Sequence, residues 1–397
     1  MSAETTTPTT TASKRLPLGV YLLAFSLLAM GSAEFLVAGV LPAIADDLDI
    51  TLSAAGALIT AFAIAVVIGG PPMAVLTLRW PRRTTLVATQ LVFALAVAVS
   101  LLTENYALIL VARFVCGIAY AGFWAVAAVT AISLVPPERT ARASGVVVSG
   151  LSVAMIAGGP ASALLSHFTG WRGGFWAVFA LTLIGAVLTV AAVPATKSVV
   201  EPSVRQELKA MKQTRLVAVY VATLLSTASY MITYNYLAPL LTDVTGFDSV
   251  WVPPILTLFG IGAFVGISIG GRIADGRPFH ALLIGAVGIA VCSVGLALFA
   301  EYDVAVIVLV LLMGVAGFVL NPAIYGRVFT LAAQAPTLAG STAVSMFQLG
   351  ISLVPVLAAI ALSAGASLTA IPWIGAGLAV LTIPAILIDR NITQRRS

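Results

Sequence analysis

The chain has 397 residues, of which 60% are hydrophobic and only 9% charged. Soluble domains carry about 25% charged residues, so this chain has too little polar surface to face water. The composition excludes a soluble enzyme and a nucleic-acid-binding protein, and it predicts a membrane protein whose net charge of +5 faces lipid head groups. Cys116 and Cys292 lie in apolar runs and the 2 histidines are far apart, so neither a disulfide nor a metal site is expected.

Twelve apolar runs are long enough to cross a bilayer as helices, which takes about 20 residues each. In chain order they are 18–41, 54–76, 85–102, 106–132, 144–166, 174–194, 216–240, 252–273, 281–300, 304–326, 340–361 and 370–388. The tenth run has an apolar extension to about 333. The sequence therefore predicts an all-α membrane protein with twelve transmembrane helices.

The longest polar stretch inside the chain, 195–215, divides these runs six and six. It predicts a cytoplasmic linker between an N-terminal six-helix bundle at 16–194 and a C-terminal six-helix bundle at 216–388. The Thr-rich tail at 1–15 is expected to be disordered, and 389–397 is expected to form a cytoplasmic tail.

Landmarks in the two halves recur at one spacing. Three pairs are each 197 residues apart: Pro42 and Pro239, Ala74 and Gly271, and Gly117 and Gly314. One such match would be chance, but three indicate a duplication. The repeat predicts two pseudo-symmetric halves, an arrangement from which many secondary transporters are built, with substrate held between them.

Positive charge marks one end of the predicted spans. With the N-terminus inside, 18 of the 20 Lys and Arg residues fall in cytoplasmic segments, while Arg172 falls outside and Arg113 within a span. Because positive residues in short loops resist translocation, both termini are predicted to be cytoplasmic. The protein is expected to be a multi-pass protein of the inner or plasma membrane.

Two charged residues remain inside the predicted spans, Glu34 in the first and Arg113 in the fourth. A charge at this depth costs several kcal/mol, which makes it a functional candidate. In one interpretation Glu34 carries a proton and Arg113 sets its proton affinity. In the other, the two form a static ion pair between helices. The 197-residue spacing maps them onto Met231 and Val310, so any coupling chemistry belongs to the first half.

Rings and amides at helical spacing predict a pocket, because small-molecule sites are apolar, ring-lined cavities with a few orienting polar groups. The candidates lie on the fourth, seventh and eleventh spans: Tyr120, Phe123, Trp124, Tyr230, Tyr234, Asn235, Met346, Phe347 and Gln348. The alternative is that each ring packs against lipid or another helix. Asn235 and Gln348 are the stronger candidates, because buried amides need partners.

Several short motifs resemble those of one transporter family. They are the loop after the second span with Arg79, Arg82 and Arg83, its second-half copy with Gly271 and Asp275, Arg113 with Gly117, Gly158-Gly159-Pro160, and Gly170-Trp171-Arg172. The chain resembles the major facilitator superfamily, in particular its twelve-span drug:proton antiporters and, among these, actinobacterial chloramphenicol exporters. It departs from them at Leu78, where the gating loop usually has an acid, and at Tyr120 and Trp124, which replace a small polar residue and a Leu.

The resemblance implies proton-coupled efflux of a small amphiphilic drug, chloramphenicol or a related phenicol, by alternating access between the halves. It implies a monomer that interacts with drug, protons and lipid, uses the proton gradient and no cofactor, and is not an enzyme. The loop residues above would gate the transporter, and Gly158-Gly159-Pro160 would pack helices. Open alternatives are another cargo, such as a sugar, a purine or another antibiotic, inward proton symport, or a sensor that binds a ligand without moving it.

Overall fold

The computed structural model describes residues 16–78, 80–136, 139–194 and 211–394, and this part of the chain is almost wholly helical, without a β-strand. Its long helices are α1 (Leu18–Asp47), α2 (Leu52–Thr77), α3 (Arg82–Leu102), α4 (Tyr106–Ser133), α5 (Thr140–Ala192), α6 (Thr214–Asn235), α7 (Val252–Ala274), α8 (Pro278–Leu298), α9 (Asp303–Val319), α10 (Asn321–Leu331), α11 (Pro336–Ser363) and α12 (Ala370–Gln394). The predicted tail 1–15, Arg79 and most of the predicted linker lie outside the described residues.

Helix α5 contains two spans joined at a single residue. Gly170 has φ 66° and ψ 176°, a conformation that a residue with a side chain rarely adopts. On either side of it, Gly150 packs against Ala24 of α1 and Gly185 packs against Ser26. Because these two contacts lie at nearly the same height on α1, the chain doubles back at Gly170.

Eleven stretches of the described chain are long and apolar enough to cross a membrane. The predicted fifth span, 144–166, is helical, but most of its side chains, including those of Gly158, Gly159 and Pro160, lie outside the described part. This span is not among the eleven. With this arm of α5 the helices correspond to the twelve predicted spans, and the predicted all-α membrane fold is confirmed.

Two predicted spans, the seventh and the tenth, are interrupted next to prolines. The seventh span is predicted at 216–240, but α6 ends at Asn235 and the chain continues as a helical turn, Leu237–Pro239, and a π-helix, Leu240–Thr245. The tenth span is divided at Leu320 into α9 and α10, directly before Asn321-Pro322. Proline lacks the N–H that continues a helix, which accounts for both breaks.

The two halves meet along two main seams and share one internal packing scheme. Between the halves, α11 packs on α2 and on α4, and α5 packs on α7. Within the first half α1 packs on α5 and α2 on α4, while in the second half α6 packs on α11 and α7 on α9.

The predicted repeat is visible as the same close contact in both halves. A side chain at Gly117 of α4 would collide with the backbone oxygen of Phe62 in α2, and one at Gly314 of α9 would collide with that of Phe259 in α7. Phe62 and Phe259 are themselves 197 residues apart. Helices in lipid associate through small residues that let backbones approach, so both positions need glycine.

We expect Gly314→Ala to lower the free energy of unfolding by about 1–3 kcal/mol, because the added methyl group must displace the Phe259 backbone. The matched control is Gly377→Ala in α12, where nothing lies within 4 Å of the added methyl group. Melting temperatures of the purified proteins compare them. A Gly314→Ala protein as stable as the control would contradict the close packing of α7 on α9.

The end of α1 is tied to the turn in α5. The indole Nε1 of Trp171 donates to Asp47 Oδ2 at 3.1 Å, and Arg172 forms a salt bridge with the same oxygen. The Arg172 guanidinium also lies 4.5 Å from the centre of the Trp171 ring. The Trp171 hydrogen bond, with a further contribution from the Arg172 charge, lowers the pKa of the Asp47 carboxyl below its ordinary value of 3.8.

A carboxyl whose pKa falls on folding stabilises the fold above its unfolded pKa, and this contribution is lost as the pH falls through the lowered value. We expect Asp47→Asn to lower the free energy of unfolding by less than about 1 kcal/mol near neutral pH, since the group is half exposed. The melting temperatures of parent and variant should converge in buffers below pH ~3.8. A difference that is the same in neutral and acidic buffer would contradict a role for the ionised carboxylate.

Candidate functional site

A buried hydrogen bond joins the two halves. The amide Nε2 of Gln348 in α11 donates to Oε1 of Glu34 in α1 at 3.1 Å. Gln348 is only 2% exposed and Glu34 only 8%, so this contact is shielded from solvent. Glu34 and Gln348, predicted from sequence on separate grounds, are thus brought together in one contact.

Arg113 lies near Glu34 without forming a salt bridge to it among the described contacts. Its Nη1 donates to the backbone oxygen of Ala33 at 3.2 Å, and its Nε donates to that of Leu58 at 3.5 Å. The guanidinium lies 5.0 Å from the centre of the Phe62 ring, and Nη2 has no hydrogen-bond partner in the described chain. Arg113 is therefore bound to the backbone one residue before Glu34.

A small closed cavity lies beside this contact. It is lined by residues of both halves: Tyr120, Trp124, Val148, Leu151, Asn321, Tyr325, Val344, Phe347 and Gln348. Its volume is about 10 Å³, barely enough for one water molecule. Four of the predicted pocket residues, Tyr120, Trp124, Phe347 and Gln348, meet here, and the cavity has to widen before it can hold a drug-sized molecule.

The other predicted pocket residues lie elsewhere in this structure. Tyr230 and Tyr234 pack against Phe259 within the second half, with ring centres 6.2 Å and 4.5 Å away. Phe123 is buried but lines none of the described cavities, and Met346 packs against the apolar core. Asn235 is exposed at the end of α6. Their binding role stays a prediction.

A second cavity, of about 750 Å³, opens at the end of the molecule that is predicted to be cytoplasmic. Arg82 of the first half and Asp275 of the second, both predicted gating residues, line it without forming a salt bridge in the described chain. Partial desolvation raises the pKa of the Asp275 carboxyl above its ordinary value of 3.8. Arg83 and Gly271 are placed in α3 and α7 near the same end, while Arg79 lies outside the described residues.

A buried charge cluster at this end escaped the sequence analysis, which assigned Asp389 to a tail. Asp389 is 1% exposed within α12 and accepts from Arg327 Nε at 2.9 Å, Arg327 Nη2 at 2.7 Å and Arg215 Nε at 3.2 Å. Thr393 Oγ1 accepts from both arginines. The tail predicted at 389–397 therefore begins in helix, because this cluster fixes the end of α12 to α6 and α10.

The profile of the Major Facilitator Superfamily matches residues 23–355. The chain belongs to this family. It is therefore a multi-pass membrane protein that moves small molecules across the bilayer, and it is not an enzyme. The resemblance inferred from the short motifs is confirmed.

Three relatives narrow the comparison. A chloramphenicol resistance protein of Streptomyces lividans is 39% identical over 348 residues, covering 87% of this chain and 89% of its own. The inner membrane transport protein YdhP of Escherichia coli K12 is 30% identical over 365 residues, covering 91% and 94%. A chloramphenicol efflux pump of Mycobacterium tuberculosis is 29% identical over 293 residues, covering 72% and 70%.

Among solved structures, the chain is similar to a variant of the fucose:proton symporter FucP of Escherichia coli, with a TM-score of 0.74 and 16% identity. This match covers 95% of the chain and 99% of FucP. A structure of FucP in the outward conformation gives a TM-score of 0.73 at 17% identity, covering 94% and 98%. At this level of identity the similarity establishes the fold alone.

We expect Asp389→Ala to lower the free energy of unfolding by about 3–5 kcal/mol, because it leaves two arginines unpaired in a mostly buried site. Glu301→Ala, which removes an exposed acid between α8 and α9, is the control and should change little. Thermal unfolding of the two purified variants measures the difference. If both variants unfold at the temperature of the parent, the cluster contributes nothing to stability.

Proposed function

We propose that this protein is a proton-coupled exporter of chloramphenicol or a related phenicol and that it confers resistance to that antibiotic. The observation that carries the proposal is the hydrogen bond between Glu34 and Gln348, since it places an ionisable group on the seam that must open for transport. The names of the Streptomyces and Mycobacterium relatives support chloramphenicol as the cargo and export as the direction of transport.

Protonation of Glu34 would change the strength of the contact between the halves. A carboxylate accepts a charge-assisted hydrogen bond from the Gln348 amide, which is about twice as strong as a bond between neutral groups. A protonated carboxyl loses that advantage, so proton uptake loosens the seam at this point. Arg113 stays charged throughout, and its positive charge favours release of the proton from Glu34.

Drug and proton then compete for the same contact. The cavity beside Gln348 is closed, at about 10 Å³, so a drug enters only when the halves separate there. A hydrogen-bond donor of the drug, such as a hydroxyl group, would bind the Glu34 carboxylate in place of the Gln348 amide, and a proton on Glu34 removes that acceptor. Exchange is coupled only if one conformation does not favour both ligands, and a shared binding group provides that exclusion.

The proton gradient supplies the energy, so the proposal needs no cofactor. One proton moving down 100 mV releases about 2.3 kcal/mol. We propose a monomer with both termini in the cytoplasm. In that orientation the 750 Å³ cavity opens to the cytoplasm, and the drug enters the protein through it.

The test is chloramphenicol accumulation in a drug-sensitive host, with and without a proton uncoupler. The parent should lower accumulation, and either the uncoupler or Glu34→Gln should abolish this effect. Glu104→Gln is the matched control, because Glu104 is exposed in the connection between α3 and α4. Immunoblots of membrane fractions verify equal insertion of all variants.

Each contrary outcome removes a different part of the proposal. Export by Glu34→Gln at the parental rate would show that the proton travels elsewhere. Unchanged accumulation in the parent would refute the cargo, and raised accumulation would reverse the direction to import.

A further inference from the structure

Two aromatic rings from opposite halves stack between the two cavities. The rings of Trp124 in α4 and Tyr325 in α10 are nearly parallel, with 5.8 Å between centres and 9° between planes. Both residues are buried, and Tyr325 stacks further on Phe329, with 6.5 Å between centres. Sequence reasoning did not single out Tyr325, although it follows the polar residue Asn321 by one helical turn.

The stack forms the wall that separates the small cavity from the large one. Along α4, Trp124 lines the small cavity and Val129, further toward the predicted cytoplasmic end, lines the large one. Along α10, Tyr325 lines the small cavity while Gly326 and Phe329 line the large one. The pair of rings therefore lies on the side of the small cavity that faces the large one.

Polar groups lie next to the stacked rings of Trp124 and Tyr325. The indole N–H of Trp124 makes no hydrogen bond in the described chain, although the Tyr120 hydroxyl is its neighbour. The side chain of Asn321 lines the same cavity. Trp124 and Asn321 are 197 residues apart, so they are equivalent positions of the repeat that meet at one cavity.

We propose that the Trp124–Tyr325 stack is the slot that recognises the planar aromatic ring of the exported drug. When α4 and α10 separate, the ring enters between the two side chains, so that one stacked contact is replaced by two. The Trp124 N–H and the Asn321 amide then face a ring substituent that accepts hydrogen bonds, such as a nitro group. This inference rests on the proposed export of a phenicol and names the part of the drug that is selected.

Binding of radiolabelled chloramphenicol to the purified full-length protein tests the slot. We expect Trp124→Leu and Tyr325→Leu each to weaken binding roughly 3- to 10-fold, the value of one aromatic contact. Trp124→Phe, which keeps a ring but loses the indole N–H, should weaken binding less than Trp124→Leu does. An analogue with a cyclohexyl ring in place of the nitrophenyl ring should compete equally well in parent and Leu variants.

A fluorescence measurement covers the case in which the Leu variants fail to fold. A nitroaromatic ring in contact with Trp124 should quench it, so Trp124→Phe should lose more of the chloramphenicol-induced quenching than Trp176→Phe, whose ring is exposed in α5. Equal quenching in these two variants would overturn the slot.

The binding data separate the slot from the proposed function. Parental affinity in both folded Leu variants, or a cyclohexyl analogue that loses as much affinity as chloramphenicol, overturns the slot while chloramphenicol export stands. A parent that binds no chloramphenicol overturns both.

Discussion

The polar centre of this transporter depends on one hydrogen bond between an acid and a neutral amide, Glu34 and Gln348. A carboxyl buried in a membrane protein needs a partner, because leaving it unpaired costs several kcal/mol. Had Arg113 been that partner, the charges would have cancelled within one half and the seam would not have been involved. Because Arg113 is bound to the backbone of α1 and α2 instead, the hydrogen bond of the Glu34 carboxyl crosses from one half to the other.

The two halves share their backbone packing but divide their charges. The first half carries Glu34 and Arg113, where the second has Met231 and Val310. The second half carries the buried cluster of Arg215, Arg327 and Asp389, and the equivalent positions of the first half are uncharged: Leu18, Thr130 and Ala192. One copy of the duplicated unit therefore contains a group that can gain or lose a proton, while the other is fastened at one end by ion pairs.

The spans could be predicted because lipid imposes a strict requirement on length and polarity, and the same requirement identified Glu34 and Arg113. Depth does not fix the rotation of a helix about its axis, so sequence left open whether these two would pair. The same limit applies to Tyr230 and Tyr234, whose helical spacing suits a pocket lining and equally suits the ring cluster around Phe259 that they form.

Asp389 was missed for a different reason. In a hydropathy analysis a charged residue marks the end of a span. Hydropathy cannot show that Arg327, from another helix, forms an ion pair with Asp389 and so allows this carboxylate to be buried. Tyr325 and Asn321 carried a readable signal, a polar residue and a ring one turn apart within an apolar run. Only the structure shows that this turn faces Trp124 across the seam.

The turn at Gly170 affects how the protein is presented to its surroundings. Two spans are joined there by one residue, and the neighbouring connections at that end, 48–51 and 103–105, are also short. If this end faces outward as predicted, the first half of the protein exposes almost no polypeptide beyond the lipid head groups. Antibodies and proteases then have little to recognise on this half.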